Sequence, residues 1–289
     1  MKRLFVFGLG YTAQIVGRQL RADGWQVAGT TRSAASQAAL EAQGFEVFPF
    51  DGDRPLDNPR AALDGATHIL ASVPPGESGD PVLRHHAAEI ASLPRLAWVG
   101  YLSTTGVYGD RDGGWVDETT PRSPTTPRGR RRAEAEMGWM GLYEMGRVPV
   151  HLFRLPGIYG PGRSAIDAVR SGRTRRVFKD GQVFSRIHVD DLATALIASM
   201  VQPRPGAIYN LCDDEPAPPQ DVTAYACKLL GLPVEPLTPI DEADLSPMAR
   251  SFYDESKRVR NDRMKRELGV TLAHPNYRDG LRAILRQSG

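Results

Sequence analysis

Cysteine is almost missing from this chain: Cys212 and Cys227 are the two present in 289 residues. Two thiols cannot build a disulfide framework and are what a reducing compartment allows. Long apolar runs are missing too, since none approaches the roughly 20 residues a membrane span needs. The first residues lead straight into a strand-like segment, without a signal-peptide pattern. Net charge is small: 36 basic and 34 acidic side chains leave +2. That removes the general electrostatic case for binding nucleic acid or an anionic membrane. Lysine is scarce, 5 against 31 arginines, a bias read as genome composition before function. Secreted, fibrous, disordered and membrane proteins are set aside, and a cytoplasmic α/β protein is expected.

What is there alternates. Apolar runs over Leu4–Phe7, Trp25–Gly29, Phe45–Phe50, His68–Val73 and Leu96–Tyr101 predict five strands. Helical stretches over Tyr11–Ala22, Ala34–Ala42 and Val82–Leu93 lie between them, with Gly24 and Gly44 past the ends of the first two. Continuous apolar strands separated by helices point to a parallel sheet covered on both faces. Residues 109–127, rich in Gly, Pro, Thr and Asp, predict a long surface loop. A helix over Arg130–Glu144 and a sixth strand over Val150–Leu155 follow. Beyond residue 156 the alternation breaks, with Pro203, Pro205, Pro216, Pro218 and Pro219 close together. Two helices, Glu255–Leu268 and Tyr277–Gln287, close the chain without a strand between them. Lys257, Arg258, Arg260, Arg263, Lys265 and Arg266 mix with Glu255, Asp262 and Glu267, a surface-helix pattern.

The segment Gly8-Leu9-Gly10-Tyr11-Thr12-Ala13 is a G-x-G-x-x-A loop between the first strand and the first helix. Gly8 permits the tight turn, Gly10 lets the backbone approach a pyrophosphate, and Ala13 is small enough for the helix to pack on the strand. The helix N-terminus, where Tyr11 and Thr12 stand, presents N–H groups and a positive dipole end to the anion. A packing turn without ligand is the alternative. The end of the second strand bears on which dinucleotide binds. An NAD site usually carries an acidic residue there, whereas this chain has Thr30-Thr31-Arg32-Ser33. Arg32 with the hydroxyls of Thr31 and Ser33 could cradle a 2′-phosphate, so NADP is expected ahead of NAD. Equally, Arg32 could be solvated and Ser33 could cap the next helix. Asp51 is placed to meet the adenine, and Ser72, Val73 and Pro74 to line the cofactor at the sheet's carboxyl edge.

Four further blocks carry a resemblance. They are Ser103-Thr104-Thr105-Gly106-Val107-Tyr108-Gly109, the run from Arg154 to Gly162 (RLPGIYGPG), the run from Arg186 to Ala193 (RIHVDDLA), and Ile208-Tyr209-Asn210-Leu211. With the glycine loop, they make the chain resemble the extended short-chain dehydrogenase/reductase superfamily, the NAD(P)-dependent epimerase/dehydratase group, over nearly its whole length. The resemblance implies a Rossmann-type doubly wound parallel sheet with a smaller C-terminal substrate-binding lobe. The dinucleotide domain would span residues 1–160. The substrate lobe, residues 161–289, would be interleaved with the last strands of the sheet. It also implies Pro156 and Ile158 as cofactor contacts, Thr104 as the hydroxyl that meets the substrate oxygen, and a nucleotide sugar or other polar carbonyl or alcohol as substrate.

The family's Tyr-x-x-x-Lys pair departs from pattern here. Aligning on Gly129 and Glu136 puts Arg128 at the Tyr position and Arg132 at the Lys position. A guanidinium stays protonated and offers only donors, so it cannot be the acid or base. Arg132 could hold the nicotinamide ribose and Arg128 a substrate anion, while Arg130 and Arg131 read as a solvated helix face. Thr105 and Gly106 stand where the dehydratase branch carries Asp and Glu, which disfavours 4,6-dehydration by that route. The glycine loop differs from the epimerase form, whose first glycine would fall at Phe7. These departures mark an atypical branch.

His188, with an ordinary pKa near 6.5, is one replacement for the missing acid or base. Tyr108 and Tyr159 are others, though both also read as packed aromatics. Asp190 and Asp191 read as caps of a helix beginning at Leu192. His85 and His86 point to different faces of one helix, and no ligand spacing suggests a structural zinc site. The basic run Arg170-Ser171-Gly172-Arg173-Thr174-Arg175-Arg176 is either a grip on a substrate phosphate or a solvated loop. The partner expected is a small-molecule substrate, with no nucleic acid and no membrane, and a homodimer is a possible assembly. Three functions fit: an atypical NADP-dependent oxidoreductase or epimerase, a non-catalytic redox sensor or regulator, and a nucleotide-sugar or lipid-linked enzyme without net hydride transfer.

Overall fold

A computed structural model describes residues 2–146, 148–172, 174 and 176–287. In chain order its elements begin β1 (Arg3–Phe7), α1 (Tyr11–Ala22), β2 (Gln26–Thr31), α2 (Ala34–Glu41), β3 (Glu46–Pro49), α3 (Pro59–Leu63), β4 (His68–Ala71), α4 (Pro81–Ala91) and β5 (Trp98–Thr104). A 3-10 turn over Thr105–Tyr108 follows, then β6 (Trp115–Val116), α5 (Pro127–Glu144), β7 (Val150–Leu155), β8 (Gly157–Tyr159), α6 (Ala165–Arg170), β9 (Arg176–Phe178), β10 (Arg186–His188) and α7 (Val189–Val201). The chain ends with β11 (Ile208–Asn210), α8 (Pro219–Leu229), β12 (Leu237–Pro239), α9 (Pro247–Ser251), β13 (Arg258–Val259), α10 (Asp262–Leu268) and α11 (Tyr277–Gln287).

Seven strands form one sheet in the order β11-β7-β5-β4-β1-β2-β3. The pairs β1–β2, β1–β4, β2–β3 and β4–β5 run parallel, with Leu4 opposite Val27 on one side and His68 on the other. Every residue of β1 and β4 is buried. That is why these strands read as unbroken apolar runs: a parallel sheet is covered on both faces. Phe5, Phe7, Ile69, Val99 and Tyr101 pack in one cluster with Val82 and Ile90 of α4 and Trp139 of α5. The sequence order reverses on either side of β1, so the carboxyl ends of β1 and β4 flank the switch point where doubly wound sheets bind ligands.

The chain divides into two compact units that alternate along the sequence. One comprises residues 1–104, 130–154 and 193–209; the other comprises 105–129, 155–192 and 210–289. The second unit has its own core, in which Tyr159, Ile166, Ala226, Tyr277, Leu281 and Ile284 pack together. Its strands pair in twos, β10 with β8, β12 with β9 and β13 with β6. Among the described residues no helix is long and apolar enough to cross a membrane.

Two expectations are corrected here. Glu255–Leu268 is not one helix. The backbone N–H groups of Arg258 and Arg260 donate to Gly114 and Val116 at 2.9 Å each, which holds 258–260 extended beside β6 and buries Val259. The helix begins only at Asp262. Alternating charge fits a surface strand as well as a surface helix, so composition could not separate them. Asp190 and Asp191 lie inside the first turn of α7, which starts at Val189 rather than Leu192. Asp191 instead accepts from the backbone N–H groups of Ala273 and His274, at 2.7 and 2.9 Å. Pro219, one of the prolines where the alternation breaks, occupies the first turn of α8, as Pro59 and Pro247 do in α3 and α9, where the missing N–H costs nothing.

Candidate functional site

The glycine turn is built by its neighbours. Gly8 has φ +91°, and a Cβ on it would stand 2.9 Å from Ser72 Oγ. Its N–H donates to Thr30 Oγ1 at 2.8 Å, and its carbonyl accepts from Ser72 Oγ at 2.7 Å. The adjacent Leu9 N–H donates to the Thr30 carbonyl at 2.8 Å. Thr30 and Ser72 thus clamp the turn from β2 and from the end of β4. Ser72, expected to line a ligand, is spent on the loop itself. Val73 is half-buried beside it and Pro74 is exposed.

Gly10 differs. A Cβ there would meet no atom within 4 Å, so the space before α1 is open to a ligand's approach. No side chain caps α1, and its first turn holds no acidic residue, so the positive end of the helix keeps its pull on an anion. Thr12 and Ala13 are buried beneath the turn and Tyr11 is half-buried. An anionic pyrophosphate fits this arrangement: a backbone cradle, a helix end and no competing carboxylate.

At the end of β2, Thr31 is half-buried and Arg32 is exposed, and Arg32 makes no hydrogen bond or ion pair among the described residues. Ser33 caps α2, its Oγ accepting from the Ser36 N–H at 3.2 Å and donating to Ser36 Oγ at 2.8 Å. Asp51 Oδ1 accepts from the N–H groups of Asp53 (2.9 Å) and Arg54 (3.4 Å). Those backbone donors hold its carboxyl below the usual range.

The carboxyl end of β5 carries Thr104, half-buried. Arg132 of α5 is anchored beneath it: Nη1 donates to the Leu102 carbonyl at 2.6 Å and to the Tyr101 hydroxyl at 3.1 Å. Its Nε and Nη2 make no hydrogen bond among the described residues, so one edge of the guanidinium is fixed and the other can meet a ligand. Arg128 is exposed, with its guanidinium 5.1 Å from the Phe252 ring centre. One turn beyond Arg132, Glu136 is fully buried. It pairs with Arg154 of β7 through Nε (3.0 Å) and Nη2 (2.8 Å), and accepts from Ser103 Oγ at 2.6 Å. This pair ties α5 to β5 and β7. Glu136 served only to register the alignment in the sequence; one buried acid among many surface acids gives no local signal.

In the second unit His188 has no exposed surface. Its Nδ1 accepts from the Asp190 N–H at 3.3 Å, its Nε2 has no partner, and its ring packs 4.0 Å from that of His274. Burial, with His274 beside it, pushes its pKa down to about 4, so the ring is neutral near pH 7. His188, Asp190 and His274 bring donor atoms within 4.8 Å of one another. The 84 residues separating His274 from Asp190 hid that grouping from any spacing rule. Pro156 is half-buried, and Ile158 lies in β8 opposite Ile187. Tyr159 packs on His188, and burial raises its hydroxyl pKa. Tyr108 is buried and donates to Asn210 Oδ1 at 2.8 Å, while the Asn210 N–H donates to Glu118 at 2.8 Å. Of the basic run, Arg173 and Arg175 lie outside the described residues; Arg176 donates to the Glu235 carbonyl at 2.7 Å.

Comparison with known proteins gives concordant results. The model of the NAD dependent epimerase/dehydratase family matches residues 87–212. Protein YeeZ of Escherichia coli K12 is 30% identical, over 96% of this chain and 97% of the relative. Human dTDP-D-glucose 4,6-dehydratase is 28% identical over 44% of this chain and 39% of its own length. Among solved structures, a conserved protein of unknown function from Silicibacter pomeroyi superposes with a TM-score of 0.92 at 53% identity, covering 99% of each chain. The Bacillus cereus UDP-glucuronic acid 4-epimerase, solved with UDP-glucuronic acid and NAD, gives a TM-score of 0.79 at 17% identity over 100% of both chains. At that identity the likeness speaks for the fold.

Proposed function

Because the chain belongs to the NAD dependent epimerase/dehydratase family, we propose that it binds NADP at the Gly8–Ala13 loop and acts as an atypical oxidoreductase or epimerase on a polar carbonyl or nucleotide-sugar-like substrate. The observation that carries this reading is the pairing of an uncapped α1 N-terminus with an exposed, unpaired Arg32 at the end of β2. Gly8 and Gly10 admit the pyrophosphate, and Arg32 with Thr31 faces the 2′-phosphate. Ser33 supports the site by starting α2 rather than by contact. When bound, the nicotinamide supplies the hydride-accepting or hydride-donating carbon.

The chain's own residues supply the rest. Thr104 hydrogen-bonds the substrate oxygen. Arg132, fixed through Nη1, turns its remaining edge to the ribose, and Arg128 meets substrate anion. Both stay charged, so they stabilise negative charge developing on oxygen instead of moving a proton. The proton step is not assigned to His188, whose ring is sealed and weakly basic. Nor is sugar 4,6-dehydration assigned, despite the similarity to the human dehydratase, because Thr105 and Gly106 offer no carboxylate. The two free, buried thiols suit the reducing cytoplasm. A second reading, a dinucleotide sensor without turnover, is favoured by arginine at both 128 and 132.

Side-by-side titration with NADPH and NADH tests the proposal. NADPH should bind more tightly, and Arg32→Asp should cost roughly 10- to 100-fold for NADPH, the worth of one charge-assisted hydrogen bond. Absence of binding by either dinucleotide at millimolar concentration overturns it. Turnover in Arg128→Tyr/Arg132→Lys equal to the parent's would place the chemistry away from these positions.

A further inference from the structure

The second unit contains a concavity of about 430 Å³ whose lining includes none of the glycine loop, Arg32, Thr104, Arg128 or Arg132. Its walls come from α6, α8 and α11, with Ala168, Val222 and Leu281 giving apolar surface and Tyr159 and Tyr277 giving ring faces. Arg186 of β10 lines it. Nη1 of that guanidinium donates to the carbonyls of Phe184 (2.8 Å) and Ala217 (3.0 Å). Its Nε and Nη2 make no hydrogen bond among the described residues, and it forms no ion pair there. Asp213, whose charge acts on that arginine, is buried with Oδ2 unpartnered, and burial pushes its carboxyl pKa up to about 8. That rise lowers the ionised fraction of Asp213 and with it the pull on the arginine. Asp167, also on the wall, is spent on Ser164, whose N–H and Oγ it accepts at 2.8 and 2.5 Å.

A partly desolvated cation without a carboxylate partner is costly unless something answers it. The free Nε–Nη2 edge has the planar fork that grips a carboxylate through two parallel bonds. We propose that this pocket binds a small organic monocarboxylate, its carboxylate on Arg186 and its apolar body between Val222, Leu281 and the tyrosine rings. The site uses the second unit alone and needs no dinucleotide.

Binding of benzoate and hexanoate to the full chain, without dinucleotide, is measured by ligand-observed NMR against benzamide and hexanamide. Saturable binding of at least one carboxylate near 1 mM or tighter (about −4 kcal/mol) and none of its amide is expected. Arg186→Met should weaken it at least tenfold. Ala168→Trp, which fills the cavity and leaves the guanidinium in place, should abolish it, and so decides the matter if Arg186→Met does not fold. Absence of saturable binding of either acid at about 10 mM, equal binding of the amides, or unaltered binding in Ala168→Trp overturns the proposal.

Discussion

Removing the arginine from the buried pair in the first unit should be among the most damaging single substitutions in the protein. Arg154→Met strips two guanidinium hydrogen bonds from Glu136, whose side chain has no exposed surface. Ser103 remains at 2.6 Å, but a hydroxyl cannot replace a neutralising charge. Leaving a buried ion without its partner costs about 3–5 kcal/mol. Unfolding entropy of roughly 2.1 cal/mol/K per residue comes to about 0.6 kcal/mol/K for 289 residues. The melting temperature should therefore fall by about 5–8 °C if the chain unfolds as one. It should fall by about twice that if the first unit, near half of the chain, unfolds by itself. Calorimetry reads the difference directly. Fluorescence of Trp98 and Trp139, both fully buried in the first unit, reports which unit melts. Arg154→Met/Glu136→Leu should recover most of the loss, because an apolar pair of similar volume needs no compensating charge. A cost under about 1 kcal/mol for the single variant, or a double variant no better than the single, would refute the reasoning.

The two loop glycines should separate folding from binding. Gly10→Val adds a side chain where no protein atom lies within 4 Å, so NADPH titration should show binding weakened more than tenfold at an unchanged melting temperature; unchanged affinity would remove the pyrophosphate from that space. Gly8→Ala forces an L-residue to φ +91° against Ser72 and should cost about 1–3 kcal/mol by urea unfolding, with or without ligand. Stability should also drop with acid. Burial lowers the pKa of His68, His151 and His188 from about 6.5 to about 4. Unfolded imidazoles take up protons below pH 6.5 that the buried rings refuse, so this stability is full above 6.5 and lost as pH falls toward 4. His151→Gln should flatten that limb in pH-dependent unfolding, and an identical slope would count against it.

The central sheet was legible because its physics is local. An unbroken apolar run such as Leu4–Phe7 can hide both faces of a strand only inside a covered parallel sheet, and α1 and β7 fall on Tyr11–Ala22 and Val150–Leu155 as read. The second unit resisted because its strands are two or three residues long and pair with distant partners. Val259 is a strand residue only because Val116, 143 positions earlier, lies beside it. No periodicity develops over two residues, so the charge pattern around it was read as helix. Pro219 shows a related ambiguity: the same ring that breaks one element begins the next, and only the chain downstream tells which.

The candidate site divides along the same line. Its backbone part, two glycines before a helix, was visible, because a turn at positive φ and an open helix end are short-range demands. Its supports were not. Thr30 and Ser72 hold Gly8 from 22 and 64 residues away, and Glu136 reaches Arg154 across 18. These contacts also bear on the arginines at 128 and 132, where the resemblance places Tyr and Lys. A lysine at 132 would offer one compact ammonium, which hydrogen bonds to Leu102 and Tyr101 would largely consume. A guanidinium spends Nη1 on both and still presents a second edge. Arginine at 132 therefore keeps an edge without a hydrogen bond among the described residues while tying α5 to β5. In the proposed reaction neither arginine can move the proton, so it comes from another group, such as the substrate, water or Thr104.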